Sequence, residues 1–200
     1  MALIVEDGTS ISSANAYCAL ATADAYHFDR HNDAWLGSNT DDRREAAIVR
    51  ACAYLDAKYR GRYPGYRTKG RAQGMEWPRV VAYTQVPDNG RSNGLIGGGS
   101  GGYQYGGYGY GLGFDYIPSN QVPREIVNAT CEAALRELIE PGSLAPDLER
   151  GGSVRRLKAD SVEIEYGPGA NPSTVFQMIE LALASLLMPK QSYSGRVARG

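Results

Sequence analysis

Ile117-Pro-Ser-Asn-Gln-Val-Pro-Arg-Glu-Ile-Val-Asn-Ala-Thr-Cys-Glu-Ala-Ala-Leu135 decides how the chain is read. Pro118 and Pro123 disfavour helix in the residue before each, so Ile117 and Val122 are expected to be extended. Pro123 suits a first helical turn, and Glu125 follows in the positive field of the helix start. Val127, Cys131, Ala134, Leu135 and Leu138 then fall on one stripe at helical spacing. The stretch predicts a helix over about 123–140, stopped by Pro141-Gly142. Upstream, at 76–79, stands the compact Glu-Trp-Pro-Arg step. Trp77 with Pro78 reads as a packing anchor between helices.

Working outward, Thr40 is placed to cap a helix through about Tyr59, with Asp41 and Asp42 suited to its start. Ile48, Cys52, Leu55 and Tyr59 form its stripe, flanked by Val49 and Ala51. Thr22 to His31 reads as a short helix with Thr22 as its cap. Residues 2–18 read as a short strand, a turn at Asp7-Gly8 and an extended approach through Tyr17. Residues 60–75 read as a Gly- and Arg-rich loop, and Val80–Val86 as a strand. Ser153 to Tyr166 predicts two strands joined near Ala159-Asp160, with Val162, Ile164 and Tyr166 alternating with Glu163 and Glu165. Pro172 or Ser173 opens a last helix to Leu187, apolar nearly all round, ended by Pro189. Such a helix is expected to be buried on several sides, partly against another copy.

Together these parts predict a mainly helical α+β domain: about four helices, a β-hairpin, a long loop and an extended C-terminal arm. The domain would span 1–189 and the arm 190–200. The 200 residues suffice for one good-sized domain. Many of the 25 glycines sit in 97–113. The run 89–116 is poor in apolar bulk and reads as an inserted loop, since it cannot fold alone. Gly/Ser linkers have no need of aromatics, yet Tyr103, Tyr105, Tyr108 and Tyr110 recur there. That pattern suits a partner-binding loop.

Net charge is −1 and the pI about 6.1, so no global field drives binding to nucleic acid or membrane. Cys18, Cys52 and Cys131 are widely spaced and odd in number, which suits reduced, buried thiols of a cytoplasmic protein. No signal peptide is read at the start, and the apolar run near 175–188 is too short to span a bilayer.

Chemistry is sparse. His27 and His31 stand four apart on an expected helix face, but no Glu follows the first and no third metal ligand is in view. An ion pair with Asp24 is the commoner outcome. Gly97–Gly102 is followed by Tyr103 and not by a Lys and a helix, so it is no phosphate loop. Asp41/Asp42 and Glu163/Glu165 are explained by helix capping and a solvated strand face. No catalytic residue and no cofactor is expected. One patch stands out at 59–71, where Arg60, Arg62, Arg67, Lys69 and Arg71 surround Tyr63 and Tyr66 without an acid. Arginine with aromatics suits phosphate contact and base stacking. The plainer alternative is a loop that pairs with acidic residues of a neighbouring copy, such as Glu163 and Glu165.

The order of parts resembles a family of tailed-bacteriophage proteins. The carriers are "LIVEDGTSISSANAYCALATADAYHFDR", "EAAIVRACAYLDAKYRGRY", "EWPR", "IPSNQVPREIVNATCEAAL" and "PKQSYSGRVARG", spread over nearly the whole chain except 91–116. These are head-to-tail connectors, also carried under the label of DnaT-like single-stranded-DNA-binding proteins. The resemblance implies a homo-oligomeric, typically twelvefold ring in the virion neck, assembled in the host cytoplasm. Its partners would be the portal, a tail terminator or other neck protein, and the double-stranded DNA in the channel. The arm that reaches the portal would carry Lys190, Tyr193, Arg196 and Arg199. The alternative function is binding of single-stranded DNA through 59–71.

Overall fold

A computed structural model describes residues 2–37, 39–86, 113–145, 156–159, 162–165 and 176–189. The protein is a mainly helical α+β fold. Five α-helices occur among the described residues: α1 (Leu20–Phe28), α2 (Asp33–Leu36), α3 (Asp41–Tyr59), α4 (Arg124–Ile139) and α5 (Gln177–Leu183). Three two-stranded antiparallel ribbons accompany them. They are β1 (Tyr66–Arg67) with β2 (Arg79–Val80), β3 (Ala82–Val86) with β4 (Gly113–Ile117), and β5 (Arg156–Ala159) with β6 (Val162–Glu165). No described helix is long and apolar enough to cross a membrane.

The long helix α3 is the axis of the body. It buries Ala47, Ile48, Ala51, Cys52, Leu55 and Tyr59 at helical spacing. α4 packs along it, joined at one end by Arg50 to Glu137 and near its middle by Cys52 and Thr130. α5 packs on α4 and reaches α3, where the Tyr59 hydroxyl donates to Glu180 at 3.0 Å. Each fully buried aliphatic side chain in this core contributes roughly 1.5–3 kcal/mol relative to exposure.

Several boundaries differ from the sequence reading, each for a local reason. α1 begins at Leu20 and not Thr22, with Ala19 in the cap position, and ends at Phe28. His31 lies beyond it at φ +50°, so it shares no helix face with His27. The expected loop at 60–75 contains β1 and a short 3-10 turn at Gly70–Ala72. Here Gly65 is required: at φ +69°, a Cβ would stand 2.1 Å from the Val80 carbonyl oxygen. The strand expected over Val80–Val86 is broken at Val81, which sits at φ +55° between β2 and β3. The short strand expected near the start is a single bridge between Val5 and Ala16. Gly8, at φ +99°, lets that segment meet the backbone of Asn120, where a Cβ would come within 1.9 Å of the carbonyl oxygen.

α4 starts at Arg124, with Pro123 as its cap, and its most buried side includes Ile126, Thr130, Ala133 and Glu137. Cys131, Ala134 and Leu138 of the expected stripe are buried as well, with Val127 and Leu135 partly buried against the core. The two strands expected in 153–166 are β5 and β6, paired with Arg156 opposite Glu165 and Lys158 opposite Glu163. Residues 113–116 at the end of the expected insert belong to β4, whose register with β3 runs from Ala82–Ile117 to Val86–Gly113. Residues 87–112, and with them Tyr103, Tyr105, Tyr108 and Tyr110, lie outside the described residues, as does 190–200.

The last helix differs most in its surroundings. The chain's own core covers Phe176, Ile179, Leu183, Leu186 and Leu187. Only Met178 and Leu181, 52% and 62% exposed, stand out from it. An apolar circumference therefore does not require a neighbouring copy; α4 and the rest of the chain's own core supply the cover. The two faces give a direct contrast. Leu183→Ala should lower stability by about 2–5 kcal/mol through the cavity it leaves. Leu181→Ala should change it by no more than about 0.5 kcal/mol. Urea unfolding of both variants, followed by far-UV circular dichroism, checks this.

Candidate functional site

The basic loop after α3 and the Glu76-Trp77-Pro78-Arg79 step form one site. Trp77 is fully buried, and its ring stands edge-on to Tyr63 with centroids 5.7 Å apart. Pro78 follows through a cis peptide bond and is buried. Arg79 is itself buried and fully engaged. Its Nε donates to Pro64 O at 2.8 Å, its Nη2 to Gly65 O at 2.7 Å and its Nη1 to Glu76 Oε2 at 2.9 Å. A buried guanidinium is tolerable only with such a set of partners.

Glu76 collects two more cations on its other oxygen. Arg60 Nη2 lies 3.3 Å and Arg67 Nη1 3.8 Å from Oε1. Beside it, Asp56 of α3 accepts the Glu76 backbone N–H at 3.0 Å and the hydroxyl of Tyr17. Burial pushes the Asp56 carboxyl up to about 6, against the lowering effect of those hydrogen bonds. Tyr17 is raised well above the usual phenol range, first by burial and then by the Asp56 charge. The N-terminal segment, α3 and the Trp-Pro step thus meet at one carboxylate pair. Along α3 next to them runs a cleft of about 420 Å³.

Arg62 and Lys69 are also engaged, and Arg67 has a second partner. Arg62 donates to Met188 O at 3.2 Å and to Glu180 at 3.4 Å, fastening the loop to α5. Arg67 donates to Gln73 O, and Lys69 Nζ donates to Thr9 O at 2.7 Å. Arg71 is exposed. Of the two interleaved tyrosines, Tyr63 is in the core and Tyr66 is 74% exposed. The structure brings Arg60 and Arg67 together at Glu76 and sends Arg62 and Lys69 elsewhere. The acids that neutralise this loop are Glu76 and Glu180 of the same chain. Sequence reading missed Asp56, Glu76 and Tyr17 as partners. The one available signal was the Glu directly before Trp-Pro-Arg, three residues from Arg79.

The histidines are not a site. His27 is fully buried against Trp35, with ring centroids 4.5 Å apart, and its Nδ1 is 2.9 Å from Asn32 Nδ2. Burial lowers its pKa. Asp24 does not pair with it; that carboxylate accepts from Trp35 Nε1 and Arg44 Nη1. The three thiols, far apart in sequence, are all buried. Contact with Cys131 and then burial raise the Cys18 thiol far above its ordinary range.

Residues 1–90 and 108–200 match the family model described as "Putative DnaT-like ssDNA binding protein". The chain belongs to that family. The match omits only 91–107, so the family's own pattern resumes within the stretch 91–116, set aside on sequence as outside the resemblance. It takes in the loop at 59–71, the Trp-Pro step and all five helices. Neither the curated proteins nor the solved structures compared with the chain give a match.

Asp56 gives this site a pH signature. Its folded pKa is above its unfolded value of 3.8, so the folded state holds the proton more tightly. Asp56 therefore favours folding at acid pH, and its contribution is lost as pH rises from about 4 to about 6. His27 acts in the opposite sense, favouring folding above its unfolded pKa of 6.5 and less as pH falls below it. Asp56→Asn should flatten the first of these slopes and leave the second. Denaturant midpoints measured across pH 4–8 on both proteins test the assignment.

Proposed function

We propose that this protein is a non-catalytic assembly component, a head-to-tail connector of a tailed bacteriophage that works as a ring between portal and tail around the DNA channel. The observation that supports it most is how the basic loop is used. Arg60, Arg62, Arg67 and Lys69 are tied to carboxylates or carbonyls of the same chain, and Tyr63 lies in the core. Cations placed this way brace a folded body, and releasing them to phosphate would unpick it. The ordered set of motifs across the chain supports the same reading. Met178 and Leu181 on α5 offer a small apolar contact to a neighbour.

A second reading is binding of single-stranded DNA, and the family's description speaks for it directly. On the family comparison alone it is the better supported of the two. Its surface would be Tyr66 and Tyr116, 74% and 68% exposed, with Arg71 for phosphate. DNA is a partner in both readings, as the strand bound or as the duplex enclosed.

Two measurements separate them. Purified protein is imaged by electron microscopy alone and with the portal, and titrated with a fluorescent oligo-dT at several salt concentrations. The connector reading expects rings or portal-bound rings and only weak oligonucleotide binding. Tight oligo-dT binding that weakens steeply with salt and is lost in Tyr66→Ala/Arg71→Ala, without rings, would replace it with the second reading.

A further inference from the structure

We propose that the cleft beside α3 is a binding site for a partner peptide that inserts one carboxylate side chain between small apolar residues. The inference does not depend on whether the chain is a connector or a single-stranded-DNA-binding protein. It rests on the shape of the cleft and on an imbalance of charge at one end of it.

The floor is the outward side of α3. Val49, Ala53 and Ala57 follow one another at spacings of four, and Met75 closes the far wall. Ala53 and Ala57 are exposed, so a chain can lie close to the helix backbone there. A volume of about 420 Å³ suits a few residues of extended peptide.

The charged end is not balanced. Arg60, Arg67 and Arg79 surround Glu76, and among the described residues Asp56 is the other carboxylate beside the group: three cations against two anions. Arg79 already gives Glu76 its short ion pair, at 2.9 Å. Arg60 and Arg67 share the remaining Oε1 at 3.3 and 3.8 Å, too long for two good charge-assisted bonds. Both line the cleft. Arg67 Nε is buried without a partner. Arg60, 63% exposed at its side chain, uses only Nη2 among its donors in the described contacts. A carboxylate entering here would receive the free donors of exposed Arg60, relieve the sharing of Glu76 Oε1 and offset the surplus charge.

The same walls disfavour a nucleic-acid strand. A phosphodiester carries a charge at every nucleotide, and Asp56 and Glu76 stand in the wall it would follow. One carboxylate flanked by small apolar residues avoids that repulsion and covers the alanine floor.

The test uses the full chain and the peptide acetyl-Ala-Val-Glu-Val-Ala-amide, with its Gln analogue, inorganic phosphate and oligo-dT as comparisons. Binding is read from NMR shifts of the arginine Nε–H resonances of Arg60 and Arg67. The Glu peptide should shift both, and the Gln analogue should bind at least about tenfold more weakly. Arg60→Gln should lose binding by a similar factor, and far-UV circular dichroism checks that the variant remains folded. Ala53→Leu should fill the floor and abolish binding with both arginines intact. The proposal fails if the Glu peptide gives no shift at millimolar concentration, if the Gln analogue binds as well, or if Ala53→Leu binds like wild type. Stronger shifts with phosphate or oligo-dT would overturn it in favour of a phosphate site.

Discussion

The structure depends on one buried carboxylate, Glu76. It lies between the fully engaged Arg79 and the pair Arg60 and Arg67, while its own backbone N–H is held by Asp56. Neutralising it in place would leave buried guanidinium groups without a counter-charge, which is the costly way to break such a network. Because Asp56 also takes the Tyr17 hydroxyl, the same point joins the N-terminal segment to α3 and the Trp-Pro step. Trp77 and Tyr63 then seal the apolar side. A second carboxylate, Glu137, does similar work at the far end of α4. It accepts Arg50 and the backbone N–H groups of Gly142 and Leu144, closing the turn that ends the helix.

This division of labour explains what the amino-acid order revealed and what it hid. The helices α3 and α4 announce themselves because their apolar residues recur at helical spacing, and Thr40 and Pro123 mark their starts. The hairpin of β5 and β6 follows from the alternation of Val162 and Ile164 with glutamates. α1 starts two residues before the Thr22 that the cap preference favours, with Ala19 as its cap and Ala23 and His27 packed in the core. The tetrad-like α2 is too short to carry a periodic signal.

The site was half visible. Five basic residues within 60–71, interleaved with tyrosines, suggest an outward-facing patch. Which of them face outward depends on carboxylates that are distant in sequence, such as Glu180 for Arg62. Tyr63 and Tyr66 are three residues apart and chemically alike, yet one packs on Trp77 and the other stands in solvent. Composition cannot separate them; the turn at Gly65 does.

The β3–β4 ribbon sets how freely this chain can change. Its two strands pair over five residues each, from Ala82–Ile117 out to Val86–Gly113, and the family pattern skips 91–107 in the span between them. Residues added beyond a closed ladder leave the pairing below it untouched. Their entropic cost grows only with the logarithm of length, about 0.6 kcal/mol for each doubling. The five-residue ladder closes the ribbon whatever length is spliced beyond it. Selection can lengthen, shorten or replace that segment to suit a new contact while α3, α4 and the Glu76 network stay as they are.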